Sequence, residues 1–241
     1  MKFSSQDGQD KFVANLFKNK RKGVFIDIGA YDGIYYSNTA YFEKYLEWDG
    51  ICVEPNPRVF KQLNDNRKCI CINCCVNEKK EILKFLSVSG YGEMLSGLMD
   101  FFGEKQLDRI DETIKEHGGN KIVIEIPGFP VKDILEQQSI TSVDYCNIDV
   151  EGGEMSVLNS IDFSKVKIKV FTIENNYKTK MIRNFLYPLG YKLIGKLGAD
   201  EVYEYHSRRY DLMIEWRINK IKNYFSLLSK SMKRKILPNI K

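Results

Sequence analysis

The run Gly23-Val24-Phe25-Ile26-Asp27-Ile28-Gly29-Ala30-Tyr31-Asp32-Gly33 leaves this chain little freedom in how it folds. It is a short apolar stretch that ends in an acid and breaks into glycines, the pattern of a buried strand entering a tight turn. A second apolar run, Gly50-Ile51-Cys52-Val53, ends in Glu54, 21 positions beyond Gly33. A strand, a glycine turn and an acid at the tip of the next strand build half of a nucleotide site in an open α/β sheet. The glycines let a ligand approach the backbone, and the Glu54 carboxylate can accept both hydroxyls of a ribose. The spacing Asp-x-Gly-x-x-x-Gly lacks the middle glycine that admits a pyrophosphate, which disfavours a nicotinamide dinucleotide. An adenosyl ligand without phosphates fits better, and S-adenosylmethionine is such a ligand. An ordinary βα turn with a capping aspartate would carry the same residues.

The rest of the chain repeats the alternation. Phe25–Ile28, Ile51–Val53 and 70–76 read as successive core strands, with helices over 37–47, capped by Ser37-Asn38-Thr39, and 58–66 between them. Such a βαβαβ order implies a parallel sheet with right-handed crossovers. From Ile82 to Gly119 the pattern loosens: 84–88 is an extra strand, 89–92 a mobile loop, and 94–114 either a substrate-facing insertion or a plain surface loop. Further strands are expected over 121–126, 143–150 and 167–173, with helices over 131–138, 154–159 and 180–186. A hairpin of 191–194 with 202–205 closes the sheet.

Composition excludes several function classes. No apolar run reaches the ~18 residues of a membrane span, and the opening Met1-Lys2-Phe3-Ser4-Ser5-Gln6-Asp7 has no signal-peptide core, so synthesis and residence in the cytoplasm are the expectation. Two histidines leave little for a histidine metal site or a Ser-His-Asp triad. Five of the six cysteines fall between Cys52 and Cys75 without paired Cys-x-x-Cys knuckles, so they read as buried core thiols in a reducing compartment. The net charge of +5 is concentrated at one end: from Tyr205 onward ten basic residues face two acids, and the body before it is mildly acidic. In that tail Ile214, Ile218, Ile221, Phe225, Leu228 and Met232 form a helical stripe. It suits packing on the domain, self-association or adsorption to an anionic membrane surface. A nucleic-acid arm is disfavoured, because base-stacking aromatics are not interleaved with the basic residues. The chain thus divides into a domain over 1–206 and a basic amphipathic tail over 207–241.

Taken in order, several motifs resemble the FkbM-type methyltransferases, a class I S-adenosylmethionine-dependent family. They are Ser5-Gln6-Asp7-Gly8-Gln9-Asp10, Phe25 to Gly33, Ser37-Asn38-Thr39 with Glu43, Trp48 to Asn56, Asn66-Arg67-Lys68, and Val143 to Glu154 with its Asp149-Val150-Glu151-Gly152-Gly153-Glu154 core. The likeness covers about residues 4 to 206. It implies a Rossmann-like class I methyltransferase fold, α/β, with a seven-stranded, mostly parallel sheet (six parallel strands, one antiparallel) and helices on both faces. It also implies roles by position. Asp27, Gly29, Ala30, Tyr31 and Gly33 would line the methionine half of the donor. Ser37 and Asn38 would bind its carboxylate, Glu54 its ribose and Asn77 its adenine, while Gln6 and Asp10 belong to a segment folding over the site. The substrate would be read between Gly90 and Gly119, where no family pattern matches.

Methyl transfer from a sulfonium asks the protein to align donor and acceptor and to remove a proton. Asp149 and Glu151 end the fourth parallel strand, where such sheets bind ligands, and neighbouring acids raise one another's pKa. Asp149 is the expected base or acceptor-orienting group, with Glu151 and Glu174 in support. Alternatively, Glu151-Gly152-Gly153-Glu154 caps the following helix. No metal is assigned: a divalent ion on Asp149, Glu151 and Glu174 would need water or substrate to complete its shell. The expected reaction is O-methylation of a sugar, glycan or small-metabolite hydroxyl. The alternative is a catalytically silent protein of the same fold, acting as an interaction or membrane-docking module.

Overall fold

The computed structural model describes residues 2–206; the tail stripe and its charges lie outside the described residues. Residues 1–204 form one compact unit. Its elements run α1 (Gln9–Leu16), β1 (Val24–Ile28), α2 (Ala40–Leu46), β2 (Asp49–Val53), α3 (Pro57–Asn66), β3 (Ile70–Ile72), β4 (Cys75–Val76), β5 (Glu81–Ser89), β6 (Gly97–Leu98), α4 (Glu104–His117), β7 (Asn120–Phe129), α5 (Val131–Gln137), β8 (Ser142–Ile148), α6 (Glu154–Asn159), β9 (Lys167–Glu174), α7 (Met181–Leu186), β10 (Tyr191–Leu197) and β11 (Asp200–Tyr205).

Seven strands form the main sheet in the order β10-β11-β9-β8-β1-β2-β3. The pairs β9-β8, β8-β1, β1-β2 and β2-β3 are parallel, and β11 runs antiparallel to β9. Only two residues join β10 to β11, room for a hairpin alone. The seven-stranded, mostly parallel sheet expected from the sequence is therefore present. Alternation along the strands divides the core between its two faces. Ile26, Ile28, Cys146 and Ile148 pack with residues of α5, α6 and α7, whereas Phe25, Tyr145 and Val170 pack with α1 and α2.

Three expectations need correction. The strand expected over 70–76 is two strands, because the Asn73 amide donates to the Glu54 and Pro55 carbonyls (2.8 and 3.0 Å) and breaks it. β3 stays in the main sheet, while β4 pairs with β7. Nor is that segment wholly buried: Cys74 and Cys75 are, Cys69 and Cys71 only half so. Second, the loosely patterned region builds a sheet of its own, β4-β7-β5-β6, in which β5 and β7 pair antiparallel over nine positions. Third, 89–92 opens a 3₁₀ turn, Gly90–Leu95, and most of 94–114 is the long helix α4. Leu86, Val88, Leu95 and Ile110 are its shared core, with Leu107 and Ile114 against them. The three- and four-residue spacing of Leu107, Ile110 and Ile114 is the one local mark of this helix in the sequence.

Candidate active site

β1, β8 and β9 lie side by side, and their register sets Asp27 opposite Asn147 and Asn147 opposite Thr172. The side chains join in one buried network. Thr39 Oγ1 donates to Asp27 Oδ2 (2.6 Å), Asn147 Nδ2 to Asp27 Oδ1 (2.9 Å), and Thr172 Oγ1 to Asn147 Oδ1 (2.6 Å). Burial pushes the Asp27 carboxyl up, opposed by the Thr39 and Asn147 hydrogen bonds and by Arg67. Asn38 Nδ2 also donates to Asn147 Oδ1 (2.9 Å), which leaves the buried Asn38 Oδ1 without a partner. A buried acceptor in this state is costly unless a ligand donates to it.

Where β1 ends, the chain turns beneath the β8 loop. Gly29 has φ +85°, and a Cβ there would sit 1.7 Å from the Asp149 carbonyl oxygen, so only glycine fits. Glu54, at the tip of β2, accepts from the Tyr31 N–H (3.1 Å) through one oxygen and from the Asn56 N–H (2.8 Å) through the other. Each oxygen keeps a lone pair for a ligand hydroxyl. Burial raises this carboxyl to about 7 against the two backbone hydrogen bonds.

A cavity of about 660 Å³ opens above these strand ends. Asp27, Gly29, Ala30, Tyr31, Ser37, Asn38, Asp149, Glu151 and Glu174 all line it, and Gln6 lies at its edge. Glu54 lines an adjoining apolar recess with Val53, Val59, Cys74 and Phe85, shared with Gly29, Tyr31 and Asp149. Two expected residues face neither space. Gly33, at φ +78°, packs on Leu63 and Arg67, and its carbonyl accepts from Arg67 Nη1 (3.3 Å). The Asn77 amide donates to Glu81 Oε1 (2.6 Å) and accepts from Ser156 Oγ (2.8 Å). Asp10 is fully buried and holds the Ser4–Ser5 turn through both carboxylate oxygens.

Asp149, Glu151 and Glu174 each bring a carboxylate oxygen within 4.8 Å of the others, a spacing that suits a divalent ion as well as a shared proton. Burial, then mutual repulsion, pushes all three up: Glu151 and Glu174 to about 8, and Asp149 well above its ordinary value. Glu154 is raised by burial too, but its role differs: it opens α6 and accepts from the Gly152 N–H (2.9 Å). The helix-start reading therefore applies to Glu154, whereas Glu151, at φ +56°, lines the cavity.

Sequence reasoning missed several residues of this wall. Asp200, raised to about 6 by burial, accepts from Gln9 Nε2 (2.9 Å) at the start of β11. Arg109 enters from α4 and opposes the rise at Glu151. Glu93 accepts from the Tyr31 hydroxyl (2.9 Å) and pairs with Arg58, which ties the 3₁₀ turn to the β1 loop. Tyr35, Tyr36 and Tyr91 stand exposed around the mouth.

The arrangement fits a cationic adenosyl donor. It offers an excess of carboxylates over one arginine, a carboxylate with free lone pairs beside an apolar recess, a cradle closed to any Cβ, and an orphaned acceptor at Asn38.

Residues 27–193 match the family model for the methyltransferase FkbM domain. No curated protein matches the chain in sequence. Among solved structures, the methyltransferase FkbM from Methylobacillus flagellatus KT aligns at a TM-score of 0.51 and 13% identity, over 84% of this chain and 48% of that one. The chain thus spans about half the length of that protein, and the likeness bears on the fold. A precorrin-6y C5,15-methyltransferase from Geobacter metallireducens GS-15 aligns at 0.44 and 10% identity, over 86% of this chain and 95% of that one. An RNA methyltransferase from Salinibacter ruber, in complex with S-adenosyl-L-homocysteine, aligns at 0.38 and 11%, over 84% and 92%.

Proposed function

Because this chain belongs to the FkbM methyltransferase family, we propose that it transfers a methyl group from S-adenosylmethionine to a hydroxyl of a sugar, glycan or other small metabolite. The observation that carries this reading is the convergence of Asp149, Glu151 and Glu174 on the cavity whose floor is the Gly29–Tyr31 turn.

When bound, the donor supplies a methyl group on a sulfonium, already activated for in-line displacement. Glu54 would hold its ribose through the lone pairs that the Tyr31 and Asn56 amides leave free. In place of the carboxylate contact expected of it, Asn38, whose Nδ2 is given to Asn147, would accept from the donor's ammonium group through Oδ1, with Ser37 beside it. Asp149 orients the acceptor hydroxyl and takes its proton, while Glu151 and Glu174 keep that proton within the cluster. Carboxyls raised toward 8 are stronger bases than ordinary ones, provided they are ionised. A cation in the cavity favours their ionised forms, so donor binding prepares the base. The tyrosines at the mouth offer flat faces for an acceptor with an apolar side, and Arg109 a single positive charge for steering it. The basic tail supplies a peripheral membrane or self-association contact.

The test compares the wild-type chain with Asp149→Asn across a panel of glycans and metabolites, following a labelled methyl group. Transfer should fall about 10²- to 10⁴-fold, the usual range for a lost general base, with donor binding by calorimetry kept within a few-fold. A wild-type chain that binds no donor would overturn the proposal in favour of an interaction module. A fully active Asp149→Asn would remove the role given to that residue.

A further inference from the structure

A pair of thiols lies outside the lining of the cavity and its recess. Cys52 on β2 is fully buried, and Cys69, just ahead of β3, is half-buried; their sulfurs stand 3.5 Å apart and both are free thiols. Cys52 lies within β2, and Cys69 immediately precedes β3, the parallel neighbour of β2, so the two are not a pair from one strand. Cys71 is Cys52's register partner, yet its sulfur turns toward the Cys69 carbonyl (3.6 Å). The buried Arg67 guanidinium, ion-paired with Glu43 and stacked over Phe25 at 5.3 Å, interacts electrostatically with both sulfurs.

We propose that Cys69 is a peroxide-reactive thiol and that Cys52 resolves it into a reversible disulfide, so that the cluster is a redox modification site. The Cys69 thiolate attacks a hydroperoxide, forming an S–O bond as the O–O bond breaks; the leaving alkoxide or hydroxide takes from solvent the proton that the thiol gave up on ionising, and departs as alcohol or water. The Cys52 thiol then gives up its proton and attacks the Cys69 sulfur. The S–S bond forms, the S–O bond breaks and water leaves with that proton. Two thiols are oxidised by two electrons and one hydroperoxide is reduced. Closing the gap to the ~2.05 Å of a disulfide requires the short segment ahead of β3 to move toward β2, since Cys69 stands two residues out of register with Cys52.

The electrostatics select Cys69 for the first step. The hydrogen bond shared with the Cys52 sulfur, and then the Arg67 charge, hold the Cys69 thiol below the ordinary range, and Cys69 is the more exposed of the two. Burial pushes Cys74, Cys75 and Cys146 up instead, which leaves them inert.

Arg67 links this chemistry to the cavity. Its Nη1 donates to the Gly33 carbonyl and to Ser37 Oγ (3.3 and 3.4 Å), and its Nη2 to Thr39 Oγ1 (3.1 Å), the hydroxyl that holds Asp27. Oxidation removes an anionic sulfur from beside that guanidinium and pulls on β2 two residues ahead of Glu54. Disulfide formation therefore weakens donor binding, a coupling that rests on the donor site proposed above.

The test treats the intact chain with stoichiometric hydrogen peroxide, blocks remaining thiols and maps the products by mass spectrometry. The expected product has lost two hydrogens, carries a fragment-assigned link between Cys52 and Cys69, and returns to thiols with a dithiol reductant. In Cys52→Ala, a dione probe should trap Cys69 as its sulfenic acid. If Cys69 reacts no faster than Cys146, or links to any other sulfur, the proposal fails, and the wild-type map decides this even where Cys52→Ala does not fold. Calorimetry then compares both states with S-adenosylmethionine. Oxidation should weaken binding about three- to tenfold, the scale of one ordinary hydrogen bond. Equal affinities overturn the coupling through Arg67. Absence of binding in both states overturns the donor site itself, and the cysteine pair then stands or falls on the mass map.

Discussion

The residue on which the site turns is Gly29. Its positive φ, and the 1.7 Å that would separate a Cβ from the Asp149 carbonyl oxygen, leave no accommodation for a side chain, since the obstacle is backbone. Gly29→Ala should destabilise the chain by roughly 3 kcal/mol or more and abolish donor binding, measured by denaturant unfolding and calorimetry; a variant of unchanged stability would show that the two loops can separate. The acids beside it lead to a prediction about pH. Glu151 and Glu174 hold their protons up to about 8, so the ionised cluster that attracts a cationic donor forms only as pH rises through that range. Donor affinity should therefore increase from about pH 6 to about pH 9, and kcat/KM, which reports the free protein, should rise over the same interval. A profile that is flat or falls there would contradict the assignment.

The legibility of the sequence differs from element to element. β1, β2, β8 and β9 can be read because a parallel strand covered on both faces is a near-continuous apolar run, and each ends in the acid or glycine that its position requires. Asp27, Gly29, Glu54, Asp149 and Glu174 are legible for that reason. The second sheet is legible only in part: the strands expected over 84–88 and 121–126 fall inside β5 and β7, but their pairing into a sheet of their own is a long-range fact that no local period encodes. α1 and α4 escape for different reasons. α1 follows a glycine in a left-handed turn and has no side-chain cap, and α4 has a polar surface broken only by Leu107, Ile110 and Ile114. Arg109 is lost with α4, and Asp200 because β11, expected over 202–205, begins two residues earlier. Because Ile110 alone on α4 is wholly buried, Ile110→Ala should cost about 2–4 kcal/mol and detach the helix, read by chemical denaturation. Donor affinity should survive better than acceptor turnover, since α4 contributes Arg109 and Thr113 to the cavity and nothing to the β1 loop.

Across the whole molecule, the acids of the cavity set how stability depends on pH. Glu54, Glu151, Glu174 and Asp200 keep protons in the folded chain that an unfolded chain releases near its ordinary values of 3.8 to 4.5. Folding then takes up protons across the interval between those values and about 8, so stability falls as pH rises through it. Asp144 and Cys69 shift the other way: Asp144, its desolvation outweighed by hydrogen bonds from Lys169 and Lys20, acts below that interval, and within it the one Cys69 thiol opposes four carboxyls. The melting temperature should decline from about pH 5 to about pH 8.5, and added donor should raise it more at the upper end of that range than at about pH 6. A melting temperature that climbs with pH would refute this distribution of protons. The contact between Gly29 and the Asp149 carbonyl has one further consequence. In the proposed mechanism the turn that would grip the methyl source and the strand that would bear the proton acceptor are interlocked, so neither can drift without the other. Choice of acceptor would then fall to the Gly90–His117 segment, where any redesign has to keep the Glu93 contact with Tyr31.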